Sequence, residues 1–272
     1  MIDYHVHSTY SGDSPTRLRD MCAKAVETGI DEIVFTEHLD YTPTDISYGS
    51  LVYSRWMDEI AAAREEFSGR LTILSGVEVD YQEKYLPEIE GFLGSHELDF
   101  VLVSAHYVHG ILLEEHEKYF PGKSEREAYL PYFEAALAAV ETGLFDGLAH
   151  MDLCKRHGAR YYGKFDLDRY LPQVEDILKA LIRHDMALEV NTSGLRQAPG
   201  EMYPSLETLE LYTSLGGRKV TIGSDSHLVQ HLGFGLSDGV KAIKSAGISE
   251  IARYRRRVEQ ISVYSSPEIH AL

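Results

Sequence analysis

Asp3-Tyr4-His5-Val6-His7, almost the first residues of the chain, set the terms for everything that follows. On a β-strand, residues i and i+2 face the same way. His5 and His7 therefore present two imidazoles side by side, with Val6 turned to the other face. Neutral imidazole is the commonest protein ligand for divalent transition metals. The same device returns near the far end as Ser224-Asp225-Ser226-His227. Two metal-type pairs so far apart in sequence imply a closed fold that brings the two ends of the chain together.

Between these pairs, apolar runs alternate with helical patterns. Residues 2–7, 32–37, 71–78, 99–105, 145–149, 187–191 and 219–222 read as seven strands. Helices are predicted over residues 16–29, where Gly29 supplies the stop, and over 53–67, 85–95, 125–142, 167–184, 205–215 and 237–246. Residues 107–123 read as a loop, and the basic segment 253–257 as a solvated helix face. Strands that alternate with helices predict parallel pairing and right-handed crossovers, and short apolar strands buried on both sides fit this. The expected fold is α/β, a TIM-like barrel one unit short of the usual eight, with residues 1–272 as a single domain. An open doubly wound sheet is the structural alternative.

The candidate ligands fall at strand ends. His5 and His7 end the first strand, and His38 follows the second in Thr36-Glu37-His38. Glu78 ends the third in Gly76-Val77-Glu78, His106 follows the fourth, His150 follows the fifth, and Asp225 and His227 follow the seventh. In parallel barrels that rim is where active sites are built. Each residue alone has a plainer reading: a hydrogen-bonded loop histidine, Glu78 paired with an arginine, Asp225 as a cap or turn residue. A carboxylate at the end of a buried run needs compensation, however, and metal-type residues at six strand ends of seven argue for one shared site. His96, His109, His116, His157, His184, His231 and His270 lie off this pattern and read as structural or surface residues.

Composition narrows the chemistry. With 43 acidic and 26 basic residues the net charge is −17, which argues against broad nucleic-acid or anionic-membrane binding. It leaves room for a small anionic substrate, because bound divalent cations reverse the sign locally. Hydrophobic residues make up 44% of the chain, enough for a sizeable core, and no apolar run reaches membrane-spanning length. Cys22 and Cys154 make no disulfide framework and both read as inert thiols. A cytoplasmic protein is expected, with no leader ahead of His5.

Taken in order, the initial His-x-His, Thr36-Glu37-His38, Gly76-Val77-Glu78, His106, His150 and Asp225-Ser226-His227 resemble the motifs of the PHP (polymerase and histidinol phosphatase) family of metal-dependent phosphoesterases. The resemblance runs from residue 2 to roughly residue 235. Within that family, the surroundings of His106 and His150, the run Asn191-Thr192-Ser193-Gly194-Leu195-Arg196, and residues 223–227 are most similar to the histidinol-phosphate phosphatases. The resemblance implies a distorted (βα)7 barrel with three divalent metal ions at the C-terminal ends of its strands. One ion would take His5, His7, Glu78 and Asp225. A second would share Glu78 and add His106 and His150. The third would take Asp13, His38 and His227, although some relatives have histidine at the Asp13 position. Mixed imidazole and carboxylate ligands suit zinc, manganese or iron.

That resemblance further implies hydrolysis of a phosphate monoester, L-histidinol phosphate, by hydroxide generated between the two ions that share Glu78. Asp225, His227 and metal-bound water are the candidates for proton transfer to the leaving oxygen. Arg160 and Arg196 are candidates for phosphate, since a guanidinium matches phosphate geometry. Glu115, with Glu114 and Asp152, is a candidate for the cationic part of the substrate, and Asp152 alternatively for orienting a ligand histidine. The alternatives are a phosphoesterase of the same family acting on nucleotides or other small phosphates, an amidohydrolase, and a non-catalytic module that docks on a polymerase.

Overall fold

The structure, a computed structural model, describes residues 1–263; His270 lies outside the described residues. The strands β1 (Ile2–Val6), β2 (Glu32–Leu39), β3 (Thr72–Asp80), β4 (Phe100–Ser104), β5 (Gly147–Leu148), β6 (Ala187–Asn191) and β7 (Val220–Gly223) lie side by side in chain order. Every neighbouring pair is parallel. The loop leaving β7 then closes the sheet onto β1. Val6 bridges Ser226, and the His7 amide donates to the Ser226 carbonyl at 2.9 Å. Asp3 completes the seam by accepting from the Ser224 amide at 2.8 Å and the Ser224 hydroxyl at 2.5 Å. Closure by this loop is what separates the barrel from the open sheet.

The crossovers carry α1 (Leu18–Thr28), α2 (Tyr53–Glu66), α3 (Leu86–Ser95), α4 (Glu125–Glu141), α5 (Cys154–Tyr162), α6 (Leu171–Arg183), α7 (Leu206–Ser214) and α8 (Leu236–Ser245). Their apolar faces pack on the outward residues of the strands in one continuous layer that includes Ile33, Phe35, Val101, Val103, Leu188 and Val190. The inward residues Tyr4, Val34, Leu74, Phe100 and Leu102 form a second cluster within the barrel. Strict alternation from Tyr4 would turn His5 outward. The register gains one residue on β1 between Asp3 and Val6, the mark of a β-bulge, and bulges re-aim side chains. Tyr4 thus fills the floor while His5 and His7 both reach the rim.

Three local expectations need correction. Residues 155–160, which fall outside every predicted helix, lie within α5. The nominal loop 107–123 contains a hairpin, Tyr107–Val108 with Ile111–Leu112, and a short helix, His116–Tyr119. The segment 253–257 is no solvated helix face. It belongs to β8 (Glu250–Arg255), which turns into β9 (Val258–Val263) as an antiparallel hairpin. Ala252 and Tyr254 join the inner apolar cluster, while Arg253 and Arg255 bond the buried Glu32 carboxylate and Arg257 bonds Asp146 at 3.1 Å. A period of two, apolar against basic, governs this stretch, and buried carboxylates attract the arginines.

Candidate metal centre

Glu78 is the hub. It points inward from β3, two residues before the strand ends, and is fully buried. Its Oε2 lies 3.2 Å from His5 Nε2, 3.5 Å from His7 Nε2 and 3.3 Å from His38 Nδ1. Its Oε1 lies 2.9 Å from His150 Nε2 and 3.5 Å from His106 Nε2. Asp225 Oδ1 stands 3.8 Å from both His5 Nε2 and His7 Nε2 and 3.5 Å from His227 Nδ1. Asp13 Oδ2 lies 3.0 Å from His227 Nε2 and 3.5 Å from His38 Nε2. All nine candidate ligands therefore converge on one rim. Ligand bonds of about 2.0–2.2 Å to a shared divalent ion place donor atoms roughly 3–3.6 Å apart, close to these spacings.

Two further features fit a cation. His7 Nε2 is buried without a hydrogen-bond partner, and a buried unsatisfied nitrogen is costly unless something binds it. His7 Nδ1 meanwhile bonds Ser11 Oγ at 3.0 Å, and Ser11 Oγ donates to Glu37 at 2.7 Å, so the ring is oriented with its far nitrogen toward the rim. The ligand-atom groupings that come within 4.8 Å of one another are His5, His7 and Asp225; His5, Glu78 and His150; and His7, His38 and His227. The last sets His7 beside His38 and His227, with stacked rings 4.3 and 4.1 Å apart. A fourth group, Asp40, Asp80 and His106, includes two carboxylates that sequence reading did not select.

Charge follows geometry. Burial opposes ionisation of Glu78 and Asp225, yet the surrounding imidazoles outweigh it and hold both carboxyls well below their ordinary values. Burial pushes His106 down to about 3, with His150 and His38 adding to the effect against Glu78, and holds His7 well below its ordinary value. At His5 and His38 burial acts in the same sense, but the neighbouring carboxylates outweigh it and hold both imidazoles well above their ordinary value, so metal ligation there would release protons.

Two candidate ligands also hang from uncommon backbone. His150 has φ 23° and Asp225 φ 53°, a region that costs energy for residues other than glycine and clusters at functional sites. Arg196 supports the second of these. It donates to the carbonyls of Ser224 and Asp225 at 2.8 and 2.7 Å and also lines the cavity above the rim. That cavity is about 470 Å³, lined among others by Asp40, Glu114, Arg156, His157 and Arg196.

Arg160 and Glu115 are not brought there. Arg160 lies one helical turn beyond Arg156 on α5, with its guanidinium outside the cavity lining, 3.2 Å from Glu117 and 2.8 Å from the Tyr161 hydroxyl. Glu115 precedes the short helix without a side-chain capping bond and pairs with Lys118. Their neighbours Arg156 and Glu114 take the cavity positions. Asp152 faces Lys155 at 2.8 Å rather than a histidine. His116, read as a structural or surface residue, bonds His157 at 2.9 Å. Sequence reading also passed over Glu37 and Glu189, although Glu189 carried a signal: it is a lone charged residue in the middle of the short strand Ala-Leu-Glu-Val-Asn.

Comparison with known proteins agrees with this architecture. The family model of the PHP domain matches residues 3–193, more than half of the chain, and the chain belongs to the PHP family. It is 30% identical to a protein named "Probable histidinol-phosphatase" from Thermotoga maritima, across 93% of this chain and 95% of that one. It is 29% identical to the histidinol-phosphatase of Lactococcus lactis, across 93% and 94%. A crystal structure of histidinol phosphate phosphatase from Lactococcus lactis, complexed with zinc, L-histidinol and phosphate, superposes with a TM-score of 0.86 at 27% identity, covering 95% of this chain and 98% of that one. Among the described residues, no helix is long and apolar enough to cross a membrane.

Proposed function

We propose that the chain is a cytoplasmic, metal-dependent histidinol-phosphatase, a single PHP-type barrel that hydrolyses L-histidinol phosphate to L-histidinol and phosphate in histidine biosynthesis. One observation carries the reading. The fold it shares over nearly its full length is that of an enzyme crystallised with zinc, L-histidinol and phosphate, and at one end of this barrel nine metal-type side chains converge beneath a cavity that offers both arginine and carboxylate. Such a lining suits a substrate that carries a phosphate at one end and cationic groups at the other.

We assign three divalent ions to the rim, zinc among the fitting metals. His5, His7, Glu78 and Asp225 would hold the first, Glu78, His106 and His150 the second, and Asp13, His38 and His227 the third. When bound, such ions acidify water and neutralise phosphate charge. The chain's own residues do the rest. Arg156 and Arg196 meet phosphate oxygens and hold the ester in line. Asp40 and Glu114 face the cationic part. Water oxygen joins phosphorus as the bond from phosphorus to the histidinol oxygen breaks. Asp225 and His227, which both line the cavity, manage the proton that the leaving oxygen takes up.

The test is phosphate release from L-histidinol phosphate by zinc- or manganese-reconstituted protein, run beside nucleotides and sugar phosphates. Strong preference for histidinol phosphate, lost in His106→Asn, is the expected result. Preference for a nucleotide would overturn the substrate, and release from none of the esters would overturn the activity.

A further inference from the structure

We propose that Glu189 is a positioning residue that fixes the geometry of two metal sites at once. The inference rests on the metal-dependent reading above. Glu189 projects inward from the middle of β6, fully buried, and it is absent from the cavity lining. It therefore acts only through the residues it touches, and these belong to two different ligand sets.

Its Oε1 lies 2.6 Å from His5 Nδ1. That contact favours a ring proton on Nδ1, so that Nε2, the nitrogen facing Glu78 and Asp225, is the one that would bind a metal. Its Oε2 accepts the backbone N–H of His150 at 2.8 Å. His150 is the residue with φ 23°, and the bond pins that backbone where Nε2 reaches Glu78 Oε1. The Asn191 amide donates to the same Oε2 at 3.0 Å and to Asp225 Oδ2 at 3.4 Å, which ties the carboxylate to a third candidate ligand.

The fold makes room for this arrangement. A Cβ on Gly223 would lie 2.3 Å from His5 Cβ and 2.8 Å from Glu189 Oε1, so the adjacent strand has to be bare at that point. Among the described residues, the only cationic side chain paired with Glu189 is His5. A buried carboxylate without lysine or arginine needs its charge met nearby, and a metal held by His5 meets it through the imidazole. Carboxylates that orient ligand histidines typically change metal affinity 10–100-fold.

The experiment compares full-length wild type, Glu189→Gln and Glu189→Asp, each stripped of metal and titrated with zinc against a chromophoric chelator. Zinc content and the melting temperature with and without zinc are also measured. Glu189→Gln keeps the volume but loses one acceptor, and is expected to weaken two zinc sites by about 10–100-fold. The third site keeps its affinity, and the rise in melting temperature on adding zinc shrinks. Glu189→Asp keeps the charge and is expected to recover part of the loss, which also keeps the test open if Glu189→Gln fails to fold. Equal zinc affinity and content in all three proteins would overturn the inference. So would an equal fall in melting temperature with and without zinc, since that marks a purely structural role. No substrate enters these measurements. Wild type that binds no zinc would defeat the metal-dependent reading itself, whereas wild type and Glu189→Gln that bind zinc alike would defeat this inference alone.

Discussion

Glu78 Oε1 lies 2.9 Å from His150 Nε2, so the third strand meets the fifth across the mouth of the barrel. The other oxygen of the same carboxylate faces His5, His7 and His38. Glu78→Gln retains the volume but loses the charge and one acceptor, and both ligand sets lose their shared member. Turnover of histidinol phosphate is expected to fall by more than roughly 100-fold, beyond the cost of removing an outer-shell partner. Zinc content should drop at two sites. A Glu78→Gln enzyme with full zinc content and turnover within a few-fold of wild type would remove Glu78 from the centre.

Asp13 sits at the edge of this arrangement and is partly exposed. Among the described residues it pairs only with His38 and His227. Asp13→Ala should therefore release one ion and keep the other two, as read by elemental analysis after dialysis. The melting temperature of wild type should fall on treatment with a chelator, because ligands that bind only the folded state stabilise it, and Asp13→Ala should show a smaller fall.

Much of this site was legible because a strand has a period of two and a barrel gathers strand ends on one rim. His5-x-His7 and Asp225-x-His227 announced themselves by spacing, and His38, Glu78, His106 and His150 by following apolar runs. The bulge that lets both Tyr4 and His5 point inward was not legible, because it depends on how β1 meets β2. Arg160 and Arg156 both lie in the run 155–160. Only the helix they form, and its phase against the cavity, separates them. The arginines of 253–257 looked solvated because their partners, Glu32 and Asp146, are remote in sequence.

That phase has a consequence for phosphate binding. Arg156 lines the cavity beside Glu114, 3.5 Å away, while Arg160 lies outside it, half exposed and engaged by Glu117 and Tyr161. Hydrogen bonds to charged groups contribute about 1.5–3 kcal/mol each, so Arg156→Met should lower kcat/KM by roughly one to two orders of magnitude. Arg160→Met should leave kcat/KM within about two-fold of wild type, as expected for an exposed pair. The reverse ranking in steady-state kinetics would return phosphate binding to Arg160.

The opposite end of the barrel gives a prediction about stability and pH. Glu32 is buried and accepts from the Tyr4 hydroxyl at 2.6 Å and from Arg253 at 3.0 Å, with Arg255 as a further donor. Burial alone would raise its carboxyl, but these donors outweigh it and hold the group below its ordinary value. A carboxyl depressed in the folded state stabilises the fold above the unfolded value, about 4.3 for glutamate, and that contribution is lost as pH falls through the folded value. Glu32→Gln should cost about 1–3 kcal/mol near neutral pH, toward the lower end because both guanidinium groups remain about one-third exposed. In urea titrations the gap between wild type and variant should be constant from pH 6 to 8 and narrow once pH drops below about 4. A gap that stayed constant into strong acid would mean that the hairpin is held by Ala252 and Tyr254 packing, with the charge on Glu32 contributing nothing.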